Sequence, residues 1–319
     1  MPLVSLSEVQ RARELIAGRA YRTPMVHSKN LSAMVGLEVF LKLEPMQKTG
    51  SFKVRGAINR VAALSADERA RGVVAMSAGN HAQGVAWAAT NAGVRSVFVM
   101  PANAVTSKVE ATRAYGGEVI QTAGDLMTVV RQLQAERGVI MVHPFDDPLV
   151  IAGAGTVADE ILDDLPDVDA IAFGIGGGGL ASGTAVVARA RRPEARLIGI
   201  EPEGACAMRQ SLDTGEAVYL AVPPSTKVVD ALGAPFAGKL NYEHVRDLGV
   251  EVYVLPDAPF VEAMWFLIER AKVLAEPAAA AGLAGMLQRV ANPALPEGAK
   301  VVLIVSGGNV DRERLKGLA

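Results

Sequence analysis

The chain has little of several features that define whole classes of protein. It holds one cysteine, Cys206, in 319 residues, which excludes an internal disulfide framework and fits a reducing compartment. Aromatic residues make up 5% of the chain, so we expect a core built on alanine, valine, leucine and isoleucine. Neither sign of charge dominates, because 32 lysines and arginines face 34 aspartates and glutamates. This balance argues against a nucleic-acid groove or a polybasic membrane patch.

A secretory leader and a membrane-spanning helix are also missing from the sequence pattern. Residues 1–13 carry charges before any long apolar run, so we expect no signal peptide and a cytoplasmic protein. Residues 171–188 form one long uncharged run, but five of its first nine residues are glycine. Glycine-rich backbone in lipid would leave its polar groups unpaired. A strand, a tight loop and a buried helix explain this run better.

Short β-rich runs alternate with helical patterns along most of the chain, which predicts an α/β fold with parallel sheets. The first series of predicted strands covers residues 39–44, 72–77, 95–100, 118–121 and 139–144. The second series covers residues 169–175, 196–201, 251–255 and 300–305. The main predicted helices cover residues 5–18, 81–91, 106–115, 126–137, 151–162, 180–191, 260–274 and 278–290. Residues 203–250 are less periodic and hold no predicted element.

One lysine lies at the start of a predicted helix that follows the first strand. Ser51 is a candidate N-cap, which would make Lys53 the second residue of this helix. The positive end of the helix dipole disfavours a cation there, so the amine should lose its proton easily. A neutral lysine amine is a nucleophile for carbonyl carbon and can form a Schiff base. Lys48, in the same loop, is the alternative that would merely be solvated.

Three glycine-rich turns fall at the C-terminal ends of predicted strands, where open α/β sheets bind their ligands. They cover residues 77–84, 174–180 and 306–309. In the second turn, Gly176 to Gly179 let successive backbone amides turn toward one point before a helix starts. Such a turn should bind an anion, and phosphate is the leading candidate.

The second turn also fits a different cofactor. Gly174, Gly176 and Gly179 have the spacing of a dinucleotide fingerprint, and Glu201 lies where the ribose-binding acid is expected. Taken alone, this motif favours a nicotinamide-dependent dehydrogenase. The other motifs of the chain are needed to choose between the two interpretations.

Taken together, the motifs resemble those of the threonine/serine dehydratases, which are fold-type II (tryptophan synthase β-like) pyridoxal phosphate enzymes. The matching stretches are Lys-Thr-Gly-Ser-Phe-Lys53, Ser-Ala-Gly-Asn-His-Ala-Gln-Gly84, Gly-Gly-Gly-Gly-Leu180, Glu-Pro202 and Ser-Gly-Gly-Asn309. The resemblance covers nearly the whole chain and displaces the dinucleotide interpretation. It implies a large domain (residues 1–66 and 149–319), a small mobile domain (residues 67–148), an active site in the cleft between them, and a homodimer.

The resemblance also implies a role for each matching position. The residues expected to hold pyridoxal 5'-phosphate are Phe52, Lys53, Asn80, Gly176, Gly177, Gly178, Gly179, Leu180 and Ser306. Those expected to receive the substrate are Ser77, Ala78, Gly79, Asn80 and His81. Lys53 would carry the cofactor and act as general base. Ser306 would face the pyridine nitrogen without keeping it protonated, which weakens the electron sink and favours β-elimination.

The activity implied is conversion of L-threonine or L-serine to 2-oxobutyrate or pyruvate with release of ammonia. Another β-hydroxy amino acid such as 3-hydroxyaspartate, a serine racemase-like activity, and a non-catalytic binding protein remain alternatives. Ala78 stands where serine racemases usually carry a second serine, so we expect little racemisation. Ala207 stands where a cation site would have its second carboxylate, which leaves a metal open. Ala231 departs from the usual pocket-side sequence, which leaves the substrate preference open too.

Overall fold

The structure, a computed structural model, describes residues 2–226, 228–291 and 293–318. Its strands form two separate sheets. The strands are β1 (Met25–His27), β2 (Glu38–Leu43), β3 (Val73–Met76), β4 (Ser96–Pro101), β5 (Glu118–Thr122), β6 (Ile140–Met141), β7 (Ala170–Gly174), β8 (Arg196–Pro202), β9 (Glu251–Leu255) and β10 (Lys300–Val305). The first sheet has the order β1-β2-β10-β7-β8-β9, and the second has the order β5-β4-β3-β6.

Helices connect the strands and cover the sheets. They are α1 (Leu6–Ile16), α2 (Lys29–Val35), α3 (Lys53–Ala62), α4 (Ala66–Arg71), α5 (Asn80–Asn91), α6 (Thr106–Ala114), α7 (Leu126–Arg137), α8 (Pro148–Asp164), α9 (Gly179–Arg191), α10 (Ala207–Thr214), α11 (Lys239–Asp247), α12 (Asp257–Ala271), α13 (Ala281–Leu287) and α14 (Arg312–Gly317). None of these helices, as far as the chain is described, is long and apolar enough to cross a membrane.

The predicted α/β fold with two parallel-sheet units is confirmed, with one exception at a sheet edge. Every pairing is parallel except β1 with β2, which is antiparallel. Sequence patterns missed β1 because its three residues are too short to show an alternation and lie on the sheet edge, half exposed. All strands of the second sheet lie between residues 73 and 141, inside the segment predicted to be the small domain. Its mobility stays a prediction.

Other differences from the predicted elements concern bounds and one segment. The predicted strand at 139–144 is only two residues long, and the predicted helix at 278–290 is a 3-10 turn followed by the short α13. The segment 203–250, thought irregular, contains α10 and α11. Both helices are amphipathic but short, so their period is hard to recognise between prolines and glycines.

Helix α8 determines how the elements that carry the site pack. It is buried from Val150 to Leu162 and lies between α3 and α9. A Cβ on Gly153 would come within 2.6 Å of the Cα of Gly56 in α3, so only glycine permits this approach. Gly183 in α9 meets the backbone of α8 in the same way. The N-termini of α3 and α9 are therefore held at a spacing that backbone contacts set.

A buried ionic cluster also fixes α3. The guanidinium of Arg55, fully buried, donates to Glu44 Oε1 at 2.8 Å and to Glu160 Oε1 in α8 at 2.7 Å. Lys42, buried in β2, donates to Glu160 Oε2 at 2.6 Å. Burial would raise the pKa of Glu160, but Arg55 and Lys42 hold it below its ordinary value. The charges are thus paired within the interior. Arg55, at the centre of the cluster, lies two residues after the start of α3.

Candidate active site

A cavity of about 430 Å³ opens between the two sheets at the C-terminal ends of their strands. It brings together every residue that the sequence predicts for the site: Phe52, Lys53, Ser77, Ala78, Gly79, Asn80, His81, Gly176, Gly177, Gly178, Gly179, Leu180 and Ser306. These residues follow β2, β3, β7 and β10. Residues that are far apart in the sequence therefore converge on one cavity from the ends of four strands.

The amine of Lys53 lies in this cavity. Its Nζ donates a hydrogen bond to the carbonyl oxygen of Pro144 at 2.7 Å and lies 5.2 Å from the centre of the Phe52 ring. Burial lowers the pKa of Lys53 to about 8, and the carboxylate of Glu276 opposes this shift. An appreciable fraction of the amine is therefore neutral near neutral pH.

The predicted N-cap was wrong, and the structure adds a cause of the pKa shift that the sequence argument did not include. Helix α3 begins at Lys53 itself, with Phe52 at the cap position. The Oγ of Ser51 is buried and has no hydrogen-bond partner among the described residues, while its backbone pairs with Gly307. Desolvation is the leading cause of the lowered pKa of Lys53, where the sequence argument invoked the helix dipole.

The turn from Gly176 to Gly179 exposes unpaired backbone N–H groups at the start of α9. No described residue accepts a hydrogen bond from the backbone N–H groups of residues 176–181. These groups belong to the turn and to the N-terminus of α9, which carries the positive end of the helix dipole. Gly178 has a φ of 101°, a left-handed conformation that favours glycine. A Cβ on Gly177 would overlap the ring of Phe145. The glycines thus serve both the turn and its close packing.

A second helix N-terminus faces the cavity from the other sheet. Helix α5 begins at Asn80 and has no side-chain cap, which leaves its first N–H groups open to a ligand. The Nε2 of His81 hydrogen-bonds the carbonyl of Val142 at 2.9 Å. Burial lowers the pKa of His81 to about 3, so its imidazole is neutral and must donate to that carbonyl. The side chain of His81 therefore supports the loop, and its backbone N–H, at the uncapped start of α5, remains unpaired among the described residues.

The side chain of Ser306 lines the cavity at the end of β10. Its hydroxyl makes no hydrogen bond to any described residue, and its carbonyl accepts from the N–H of Phe52 at 3.1 Å. The backbone bond joins the end of β10 to the start of α3. Ser306 and Lys53 are thereby held on neighbouring segments, with a free hydroxyl available to a ligand.

The sequence argument gave no role to three charged residues in the cavity wall, Glu276, Lys108 and Asp230. Glu276 is buried and accepts a hydrogen bond from Asn80 Nδ2 at 2.6 Å. Lys108 donates to Asp230 Oδ2 at 2.8 Å, and Arg314 also contacts Asp230 at 3.0 Å. No spacing in the sequence links these positions, because they meet only when the two sheets face each other. The ion pair compensates the charge of Lys108 within the cavity.

Glu201 has a structural role that excludes the ribose-binding role of the dinucleotide interpretation. Its carboxylate lies outside the cavity and accepts hydrogen bonds from the N–H groups of Met208 at 2.9 Å and Arg209 at 2.7 Å. It therefore caps the start of α10, while burial raises its pKa to about 8. Within the described ranges, no group of three or more histidine, cysteine, aspartate or glutamate side chains could hold a metal ion.

Two joined parallel-sheet units, with a lysine amine and two open helix N-termini in the cavity between them, define an enzyme-like site for an anionic carbonyl cofactor. The model of the pyridoxal-phosphate dependent enzyme family matches residues 16–307, and the chain belongs to that family. It therefore depends on pyridoxal phosphate, as the sequence motifs predicted.

Individual relatives carry several activities. The L-threonine ammonia-lyase of Thermotoga maritima is 40% identical over 97% of this chain and 76% of its own. The L-threo-3-hydroxyaspartate ammonia-lyase of a Pseudomonas species is 38% identical over 100% of this chain and 99% of its own. The solved structure of maize serine racemase superposes with a TM-score of 0.93 at 38% identity, over 99% of this chain and 97% of that one.

The residues present fit pyridoxal phosphate on structural grounds. The cofactor needs an amine for its aldehyde, donors for its phosphate and polar contacts for its ring. The neutral fraction of Lys53, the unpaired amides at 176–181 and the free hydroxyl of Ser306 supply these groups. A cavity of about 430 Å³ is also within the usual range for small-molecule sites.

Proposed function

We propose that this protein is an ammonia-lyase that eliminates water from L-threonine and L-serine to give an enamine. The enamine tautomerises to an imine, and water hydrolyses the imine to 2-oxobutyrate or pyruvate with release of ammonia. The observation that carries the proposal is the partly neutral amine of Lys53 in a cavity with two open helix N-termini. One terminus suits a phosphate and the other a substrate carboxylate. The 40% identity to an L-threonine ammonia-lyase supports the same reaction.

In this proposal the cofactor is held at four points. Lys53 would carry it covalently, with Phe52 beside the ring, and Gly176–Leu180 would bind its phosphate. Asn80 would donate to the ring hydroxyl and Ser306 would contact the ring nitrogen; all of these residues line the cavity. These groups come from both sheets, so each is placed by a different strand end.

Bound pyridoxal phosphate supplies an electron sink for the pair left when the α-proton departs. The amine of Lys53 takes that proton as general base, and the carbonyl of Pro144 orients it. The N–H groups at the start of α5 bind the substrate carboxylate. Ser306 is uncharged and would leave the ring nitrogen unprotonated, which would favour departure of the β-hydroxyl over return of a proton. The proton that Lys53 takes from the α-carbon would balance the one with which the hydroxyl leaves as water, so the amine would be neutral again for the next cycle.

Two features of the cavity weigh against the other activities of the relatives. Lys108 is paired with Asp230, so it offers no free cation to the second carboxylate of 3-hydroxyaspartate. Ala78 has no hydroxyl to deliver a proton to the opposite face of the substrate, as racemisation requires. Neutral β-hydroxy amino acids therefore fit this cavity best.

A visible absorption spectrum, recorded before and after addition of L-threonine with a coupled keto-acid assay, tests the proposal. We expect a band from lysine-bound cofactor that shifts on addition, together with 2-oxobutyrate. Cofactor binding without turnover of threonine or serine would overturn the substrate assignment. D-serine formed from L-serine as fast as pyruvate would favour a racemase instead.

We further propose a cytoplasmic homodimer with a large domain (residues 1–66 and 149–319) and a small mobile domain (residues 67–148). The single cysteine supports the compartment, and the separate second sheet supports the division into domains. The dimer rests on the family resemblance alone. Sedimentation equilibrium measures the oligomeric state, and a monomer at micromolar concentration would contradict the dimer. Small-angle scattering with and without substrate measures domain closure.

A further inference from the structure

Glu276 is a buried carboxyl group in the cavity wall that the proposed mechanism does not use. Only 7% of the residue is exposed, and it lies at the start of the 3-10 turn Pro277–Ala280. Its Oε1 accepts the hydrogen bond from Asn80 Nδ2 at 2.6 Å. Burying a carboxyl group is unfavourable unless it gains hydrogen bonds, so we expect a buried carboxyl group in this wall to have a role.

The side-chain amide of Asn80 is held at both ends. Asn309 Nδ2 donates to Asn80 Oδ1 at 2.8 Å and to the backbone carbonyl of Thr49 at 2.8 Å. The carbonyl of Thr49 can only accept, so the Asn309 atom that faces it must be the nitrogen, Nδ2. Because the same nitrogen also contacts Asn80, the Asn80 atom on that side must be the accepting oxygen, Oδ1. Burial raises the pKa of Glu276 to about 7. Its ionised form can only accept a hydrogen bond, which makes Asn80 Nδ2 the donor on the other side.

Gly307, the first of two glycines in the Ser306–Asn309 turn, provides the space for this arrangement. A Cβ on Gly307 would come within 2.6 Å of Glu276 Oε1 and 3.3 Å of Asn80 Nδ2. The backbone N–H of Glu276 donates to the carbonyl of Gly307 at 3.1 Å. The network therefore accounts for Gly307 and Asn309, two motif positions to which the proposed mechanism gives no task.

We propose that Glu276 is a positioning residue that, together with Asn309, fixes the Asn80 amide so that its second N–H donates to the ring of bound pyridoxal phosphate. No described residue accepts from that second N–H, and Asn80 lines the cavity. An amide free to turn over would present its oxygen to the same ring acceptor and lose the bond. This inference rests on the proposed function, because it takes Asn80 as a cofactor ligand.

The test compares Glu276→Gln, Asn80→Ala and the double variant, with Glu262→Gln as a control on the exposed face of α12. Titration of each apo-protein with pyridoxal phosphate gives the dissociation constant, and the visible maximum reports the ring environment. Glutamine keeps an acceptor but is uncharged and can also present an N–H to Asn80, so it no longer fixes the direction of the bond. We expect Glu276→Gln to weaken binding about fivefold, the difference between a charge-assisted and a neutral hydrogen bond, and to shift the visible maximum. In the Asn80→Ala background, Glu276→Gln should change the dissociation constant for pyridoxal phosphate by less than about twofold.

A second variant tests the inference independently, in case Glu276→Gln does not fold. Asn309→Ser removes the donor to Asn80 Oδ1 and leaves Glu276 intact, so it should weaken binding and move the visible maximum in the same direction. The inference is overturned if Glu276→Gln binds and absorbs like the wild type, or loses equal affinity with and without Asn80. A wild-type protein that binds no pyridoxal phosphate would refute the proposed function before any variant is measured.

Discussion

Two lysines five positions apart allow a matched test at the scale of single residues. Lys53 lines the cavity, whereas Lys48 Nζ lies outside it, 4.0 Å from the centre of the Tyr21 ring. We expect Lys53→Ala to lose the visible band and to lower kcat by at least about 1000-fold, because it removes both the attachment point and the base. Lys48→Ala should stay within a few-fold of the wild type in the keto-acid assay. Full turnover by Lys53→Ala would remove the basis of the proposed mechanism.

The pKa of Lys53 predicts how fast the apo-protein takes up its cofactor. Only the neutral amine attacks the aldehyde, and burial lowers its pKa from 10.5 to about 8. The attachment rate should rise about tenfold per pH unit below that value and level off above it. Stopped-flow absorbance between pH 6 and 10 measures this rate, with Nα-acetyl-lysine amide in the same buffers as the control. A rate that still rises at pH 10, as for the free amine, would contradict the assignment.

At the scale of elements, the ion pair between α6 and the turn at Asp230 controls the charge of the cavity. Burial would raise the pKa of Asp230, but Lys108 and Arg314 hold it below its ordinary value, so the pair is ionised. Asp230→Asn frees the ammonium of Lys108 for a second substrate carboxylate. We expect the ratio of kcat/KM for 3-hydroxyaspartate over threonine to rise about tenfold, the worth of one charge-assisted hydrogen bond.

The control for this change is the double variant Asp230→Asn with Lys108→Met. It lacks the freed ammonium, so its substrate ratio should return toward the wild-type value. An equal gain with and without Lys108 would show that Asp230 acts by its size and not by its partner's charge.

Sequence reasoning found the elements that repeat and missed the contacts that join them. The alternation of strands and helices follows from periods of two and 3.6 residues, and the glycine turns fall at strand ends, so Lys53 and Gly176–Gly179 could be singled out from the residues alone. The role expected of Ser306 came from the family resemblance. Glu276 could not, because its partner Asn80 lies 196 positions away. The cause of the Lys53 pKa was missed for a similar reason, since burial depends on the closed cavity and not on the local helix.

For the whole molecule, the buried cluster around Arg55 should determine much of the stability. Removing its guanidinium leaves Glu44 and Glu160 buried without their main partner. We expect Arg55→Ala to lower the free energy of unfolding of the apo-protein by about 3 to 5 kcal/mol. Chemical denaturation measures this value. As a control, Arg137→Ala breaks an exposed pair with Glu118 and should cost less than about 1 kcal/mol. Equal costs would contradict the argument from burial.

The glycine contacts of α8 have a consequence for tolerance to mutation. Because Gly153 and Gly183 bring backbones together directly, the spacing between the N-termini of α3 and α9 does not depend on the volumes of core side chains. Substitutions among the surrounding valines and alanines can therefore alter packing without separating the amine of Lys53 from the unpaired amides at 176–181. A single methyl group at either glycine acts differently, since it displaces one whole helix and with it one wall of the cavity. A substitution remote from the cavity can thus disturb it, because α8 meets α3 and α9 backbone to backbone at these glycines.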